Sequence, residues 1–176
     1  TTTGHAADRS GRLLVVDDDP LQSESLQLVL KEHGFEVACC GTPEAALERL
    51  AGGHFDLLLT DLQMPGMDGI ELTRRAQLQS PDMVVVLMTG HASVPSVVEA
   101  MRQGAVDFVQ KPFAYRALLA VIERALAVQR LRRHNRRLEA EVHQQLQQLE
   151  TVNAELDAFA ARVAHDLRGP IMSIRG

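Results

Sequence analysis

The sequence predicts an α/β fold: a five-stranded, parallel, doubly wound sheet followed by a long helix. Three observations carry this. Five short apolar runs recur in the first 112 residues, separated by stretches with helical spacing. The runs are mostly unalternating, which suits strands covered on both faces. Beyond Pro112 the alternation stops, and from Ala114 to Arg168 there is neither glycine nor proline.

The predicted strands are Leu13–Val16, Val37–Cys39, Leu57–Leu59, Val84–Met88 and Val106–Val109. The helical patterns between them are Leu21–His33, Glu44–Leu50, Ile70–Gln79 and Pro95–Gln103. Thr42-Pro43 reads as an N-cap with proline at the first helical position, and Val94-Pro95 places a second proline near a helix start. Gly34 and Gly104 stop the helices before them. The final stretch is rich in Ala, Leu, Glu, Gln and Arg, all strong helix formers. A run of about 50 such residues would be about 80 Å long if helical, so it needs a partner.

A heptad frame with a at Val121 supplies one. The a positions continue through Val128, Asn135, Val142, Leu149, Leu156 and Val163. The d positions are Arg124, Leu131, Leu138, Gln145, Val152, Phe159 and Asp166. Valine at a with leucine at d favours two parallel strands, and a buried Asn135 pair would fix their register. The alternative is a lone helix packed back on its own domain. Beyond Phe159 the apolar spacing lengthens to four, at Val163, Leu167 and Ile171, in the manner of a stutter or of a two-helix seam opening into a wider bundle.

Composition narrows the function. The chain has 176 residues, 45% of them hydrophobic and only 3% aromatic. Wholesale disorder is excluded. No apolar run approaches the roughly 20 residues of a membrane span. Thr1–Ser10 lacks the apolar core of a signal peptide and reads as a disordered leader. Cys39 and Cys40 are neighbours, unsuited to an ordinary structural bridge, which points to a reducing, cytoplasmic compartment. Residues 1–127 carry 17 acids and 10 bases; residues 128–176 carry 6 acids and 8 bases. That split argues for two regions. Arg130, Arg132, Arg133, Arg136 and Arg137 all fall off the a/d seam and read as a solvated surface; no nucleic-acid partner is expected.

Doubly wound sheets place their chemistry at the carboxyl ends of the strands. Here those ends carry Asp17-Asp18-Asp19, Thr60-Asp61, Thr89-Gly90 and Gln110-Lys111-Pro112. Several carboxylates, a hydroxyl and an ammonium therefore converge on one edge. Clustered carboxylates oppose folding unless a cation intervenes, and a sparse oxygen set suits Mg²⁺. Metal, lysine and hydroxyl around one carboxylate make a phosphoryl-transfer site, with the carboxylate as nucleophile. Asp19 reads as a helix cap or a supporting acid.

The segments LLVVDDDP (Leu13–Pro20), LLLTDLQMPGMDG (Leu57–Gly69), VVVLMTGHA (Val84–Ala92) and GAVDFVQKPF (Gly104–Phe113) together resemble the receiver domain of two-component response regulators, over about residues 11–127. The resemblance implies a flavodoxin-like sheet, with Asp61 as phosphoacceptor. It implies Mg²⁺ held by Asp17, Asp18, Asp61 and the backbone carbonyl of Gln63. Thr89 and Lys111 would sense the phosphoryl group, Phe108 would be the switch aromatic, and Lys111-Pro112 would be cis. Gln63 and His91 would flank the site and tune dephosphorylation.

The last segment, AHDLRGPIMSIRG (Ala164–Gly176), resembles the phosphoacceptor box of histidine-kinase dimerisation domains. Phe159, Leu167, Pro170 and Ile174 fit its apolar pattern, and Pro170 would kink the helix. By resemblance His165 would be phosphorylated with Asp166 as its general-base partner. Gly169 stands where many members carry the Thr or Asn used in phosphatase activity, so that activity is not implied. The sequence stops inside this motif, before any nucleotide-binding lobe, so it reads as a piece cut from a longer kinase or as a natural remnant, and is not expected to phosphorylate His165 by itself.

The expected organisation is a leader (1–10), a receiver (11–127), a coiled-coil signalling helix (128–158) and a truncated dimerisation helix (159–176). The expected function is a phosphorelay in which Asp61 controls a hybrid histidine kinase. The expected partners are a second copy of the chain, an upstream phosphodonor kinase or phosphotransfer protein, and a downstream receiver. Two alternatives stand beside it: a stand-alone dimeric response regulator acting as a binding module, and a phosphate sink that drains a phosphohistidine.

Overall fold

The computed structural model describes residues 11–90 and 94–172. The expected leader and His91 lie outside them, as does Ile174. Ten elements follow in chain order: β1 (Arg12–Val16), α1 (Pro20–Glu32), β2 (Glu36–Cys40), α2 (Pro43–Gly52), β3 (Leu57–Asp61), α3 (Gly69–Gln79), β4 (Val84–Thr89), α4 (Val94–Arg102), β5 (Ala105–Gln110) and α5 (Tyr115–Met172). The five strands form one parallel sheet in the order β2-β1-β3-β4-β5. The doubly wound parallel fold is as the sequence predicts, with element ends moving by one or two residues. The ladder between β4 and β5 is irregular at Val85/Val86.

Both faces of the sheet are covered, which is why the strands do not alternate in sequence. Leu13, Val15, Leu57, Leu59, Val84 and Val86 face a cluster completed by Leu26 and Leu30 of α1 and by Leu118, Ile122 and Ala125 of α5. Leu14, Val16, Leu58 and Val85 face the opposite cluster, with Ala46 and Leu50 of α2 and Leu72 and Ala76 of α3. Leu87 and Ala105 pack with Ala100 of α4, and half-buried Phe108 lies against them. The strand residues at the centre are fully buried, each contributing about 1.5–3 kcal/mol of transfer free energy.

Caps set the helix starts. The Asp19 carboxylate accepts from the backbone N–H of Leu21 at 3.0 Å and of Gln22 at 3.4 Å. Thr42 Oγ1 accepts from Ala45 N–H at 3.3 Å, ahead of Pro43. Asp68 accepts from Glu71 N–H at 2.8 Å. Gly34 and Gly104 follow α1 and α4 with φ of +90° and +107°, a region costly to residues with a Cβ.

The chain divides into two compact units, residues 1–133 and 134–176. In the first, α5 presents Leu118, Ile122, Ala125 and Leu126 to the core. The nominal d position Arg124 is paired with Asp107 of β5, and Gln129, 3% exposed, donates to Asp56. The second unit is helical, and Leu138, Val142, Leu149, Val152, Leu156 and Phe159 on it are all exposed. Cys39 and Cys40 are free thiols, and burial raises the pKa of both. Among the described residues no helix is long and apolar enough to cross a membrane.

Candidate functional site

The strand order reverses between β1 and β3, where β1 lies between β2 and β3. A crevice outside the carboxyl ends of the strands is the usual site in such sheets. Asp17 and Asp18 follow β1 directly, and Asp61 is the last residue of β3. Asp17 is 1% exposed and Asp61 9%, while Asp18 is open to solvent. Ligand oxygens of the three lie within 4.8 Å of one another.

Lys111, just beyond β5, closes the cluster. Its Nζ donates to Asp61 Oδ2 at 2.6 Å, to Asp17 Oδ2 at 2.9 Å and to Gln22 Oε1 at 3.0 Å. Burial alone would push the ammonium's pKa down. The hydrogen bonds and charges of Asp61 and Asp17 outweigh that, and the pKa lies above its ordinary value. The two carboxylates thus favour the charged form of the group. Its backbone is fixed too: Lys111 N–H donates to Thr89 O at 2.7 Å, and the Lys111–Pro112 bond is cis.

Backbone contacts order the end of β3 and the strands beside it. Asp61 Oδ1 accepts from Gln63 N–H at 3.2 Å. The loop after β3 turns back through Gly69 N–H to Leu62 O at 2.9 Å, and Leu62 N–H reaches Met88 O at 2.8 Å. Thr89 ends β4, is 2% exposed and pairs in register with Gln110. Phe108 lies opposite Leu87. Asp17, Asp18, Asp61, Thr89 and Lys111, expected together from four separate segments, share this one edge. His165 and Asp166 belong to the second unit. They are 90% and 82% exposed, with Nδ1 and Oδ1 3.4 Å apart.

Gln22 is the site residue that sequence reasoning missed. Asp19-Pro-Leu-Gln22 reads as a helix start with a capping-box glutamine, and nothing in that pattern points to Lys111.

Receiver domains use Mg²⁺ at an acidic pocket of this kind. The donor set fits: hard carboxylate oxygens, two of them buried, close enough to share one small cation. Asp17, Asp18 and Asp61 would hold it.

Comparison with known proteins agrees with this geometry. The family model "Response regulator receiver domain" matches residues 13–123, more than half of the chain. The transcriptional regulatory protein FixJ of Bradyrhizobium diazoefficiens is 43% identical over 116 residues, covering 66% of this chain and 57% of its own length. The chain therefore spans little more than half of that relative. A receiver domain protein from Methanospirillum hungatei has a TM-score of 0.66 at 33% identity, covering 69% of this chain and 97% of the other. The beryllofluoride-activated NtrC4 receiver domain dimer has a TM-score of 0.64 at 34% identity, covering 67% and 98%. With its five-stranded parallel sheet, its acidic pocket and its lysine, the chain belongs to the response regulator receiver domain family of two-component phosphorelay signalling.

Proposed function

We propose that Asp61 is the phosphoacceptor of this chain, and that its Mg²⁺-dependent phosphorylation switches α5 and so regulates a histidine kinase whose own phosphoacceptor is His165. The observation that carries the first half is the Lys111 ammonium, 2.6 Å from Asp61 and 2.9 Å from Asp17. A carboxylate held against a fixed cation on a sheet edge is poised to attack phosphorus. An Asp61 oxygen forms the new bond to phosphorus, and the bond from phosphorus to the donor oxygen or imidazole nitrogen breaks, its electron pair leaving with the donor. Mg²⁺ held by Asp17, Asp18, Asp61 and the Gln63 carbonyl would neutralise charge on the phosphoryl oxygens. Lys111 stabilises the same charge from the other side, and the Thr89 hydroxyl donates to a phosphoryl oxygen.

The output half rests on α5. The helix that packs on the core through Leu118 and Ile122 runs, by residue range, to Met172. A phosphoryl group adds about two negative charges at Asp61. Thr89 moves toward it, Phe108 turns into the space vacated, and the surface of α4, β5 and α5 changes. The exposed heptad residues suit a parallel coiled coil with a second copy, Asn135 setting the register. His165 and Asp166 then stand beyond the coil, exposed and adjacent, as a phosphoacceptor and its base require. The natural partners are a phosphodonor kinase or phosphotransfer protein upstream and a receiver downstream, in the cytoplasm.

A second reading is a dimeric response regulator whose helix docks a partner; the regulatory proteins among its relatives favour it. The two part at His165: a kinase lobe supplied in trans phosphorylates it only under the first reading.

Incubation with acetyl phosphate and Mg²⁺, read by intact mass, tests the acceptor. The wild type should gain one phosphoryl group, and Asp61→Asn should gain none. Full labelling of Asp61→Asn would place the acceptor elsewhere.

A further inference from the structure

Gln22 is the third helical residue of α1, behind the Asp19 cap and Pro20. At that position a glutamine ordinarily reaches back to the N-cap backbone N–H. Here the Asp19 N–H is already taken by Asp17 Oδ1 at 2.9 Å, and α1 is capped without the Gln22 side chain. That side chain turns to Lys111 instead, Oε1 accepting from Nζ at 3.0 Å. An ammonium has three protons and no lone pair, so the carbonyl end of the amide must face it. Asp17, Asp61 and Gln22 together engage all three protons.

We propose that Gln22 is a positioning residue for phosphoryl transfer, anchoring the Lys111 ammonium through a neutral acceptor. The inference rests on Asp61 being the phosphoacceptor. Of the three partners of Lys111, two change during the reaction: Asp61 becomes bonded to phosphorus, and Asp17 belongs to the metal set. Gln22 alone is untouched by either event. Being uncharged, it fixes the cation without neutralising it, so the full charge stays available to the phosphoryl oxygens. A cavity of about 320 Å³ opens beside the ammonium, lined by Asp19, Gln22, Ser25, Phe113 and Tyr115 among others. Without the amide, Lys111 has room to swing into it.

The test uses the full chain and two variants. Gln22→Met keeps the bulk and loses the oxygen acceptor. Gln22→Glu keeps the acceptor and adds a charge. With acetyl phosphate and Mg²⁺, both should label Asp61 about three- to tenfold more slowly at saturating donor. In Gln22→Met, which adds no charge, the donor and Mg²⁺ concentrations for half-maximal rate should stay unchanged. The ¹⁵N–¹H ammonium signal of Lys111, assigned by its loss in Lys111→Arg, should persist in wild type and Gln22→Glu and broaden away in Gln22→Met. Wild-type rate with an intact Lys111 signal in Gln22→Met overturns the positioning role alone. A wild type that takes no phosphate overturns the acceptor reading, and the role with it.

Discussion

A Cβ on Gly69 would collide with the carbonyl oxygen of Asp61 and stand 3.0 Å from Leu62 Cα. Both obstacles are backbone, so neither can rotate away. Gly69→Ala should therefore destabilise the receiver by about 1–3 kcal/mol and slow labelling of Asp61, because the strain falls on the peptide of Asp61 itself. Urea unfolding and acetyl phosphate labelling check this; an alanine variant of wild-type stability and rate would contradict it. At this scale the sequence was legible where the chemistry is covalently tied to a strand end. Asp17, Asp61, Thr89 and Lys111 each follow an apolar run, so finding the strands locates them. Gln22 was not legible, because its partner lies 89 positions away. The local pattern also offers it an ordinary capping partner. The one signal available was that Asp17 could take the Asp19 N–H first.

Among the elements, α3 carries a charge arrangement with a measurable pH signature. Glu71 sits three residues after the Asp68 cap and is held by Arg74 and then Arg75, which lower its pKa from the usual 4.5 to about 2. A lowered folded-state pKa contributes stability above the unfolded value of 4.5, and that contribution is lost as pH falls through about 2. The group is at the surface, so salt screens it. The stability gap between wild type and Glu71→Gln should narrow steadily between pH 5 and the acid limit, and shrink in high salt; a gap constant with pH would contradict the assignment. The helices and strands themselves were legible through period and punctuation, as at Thr42-Pro43 and Gly34. Their exact ends were not. β1 begins at Arg12, whose N–H and guanidinium are set by Asp56 and Glu36, and contacts of that range leave no mark on local sequence.

For the whole molecule, the charge split in the sequence falls at 127/128, and the two compact units are residues 1–133 and 134–176. The first buries Gln129 against the receiver, a polar residue whose burial depends on meeting Asp56 across the fold. The second leaves its heptad residues exposed, a pattern that makes sense for a helix completed by a second copy. The proposed output of Asp61 phosphorylation is a change along α5. The most direct measurement is a pair of inter-protomer distances. Nitroxide labels at Arg136→Cys and Ala160→Cys, in separate samples with Cys39 and Cys40 replaced by alanine, would be read before and after acetyl phosphate. The proposal predicts a dimer that gains one phosphate per chain and shifts its distance distribution at one or both sites. A monomer at tens of micromolar, or a fully phosphorylated dimer with both distances unchanged, would contradict it.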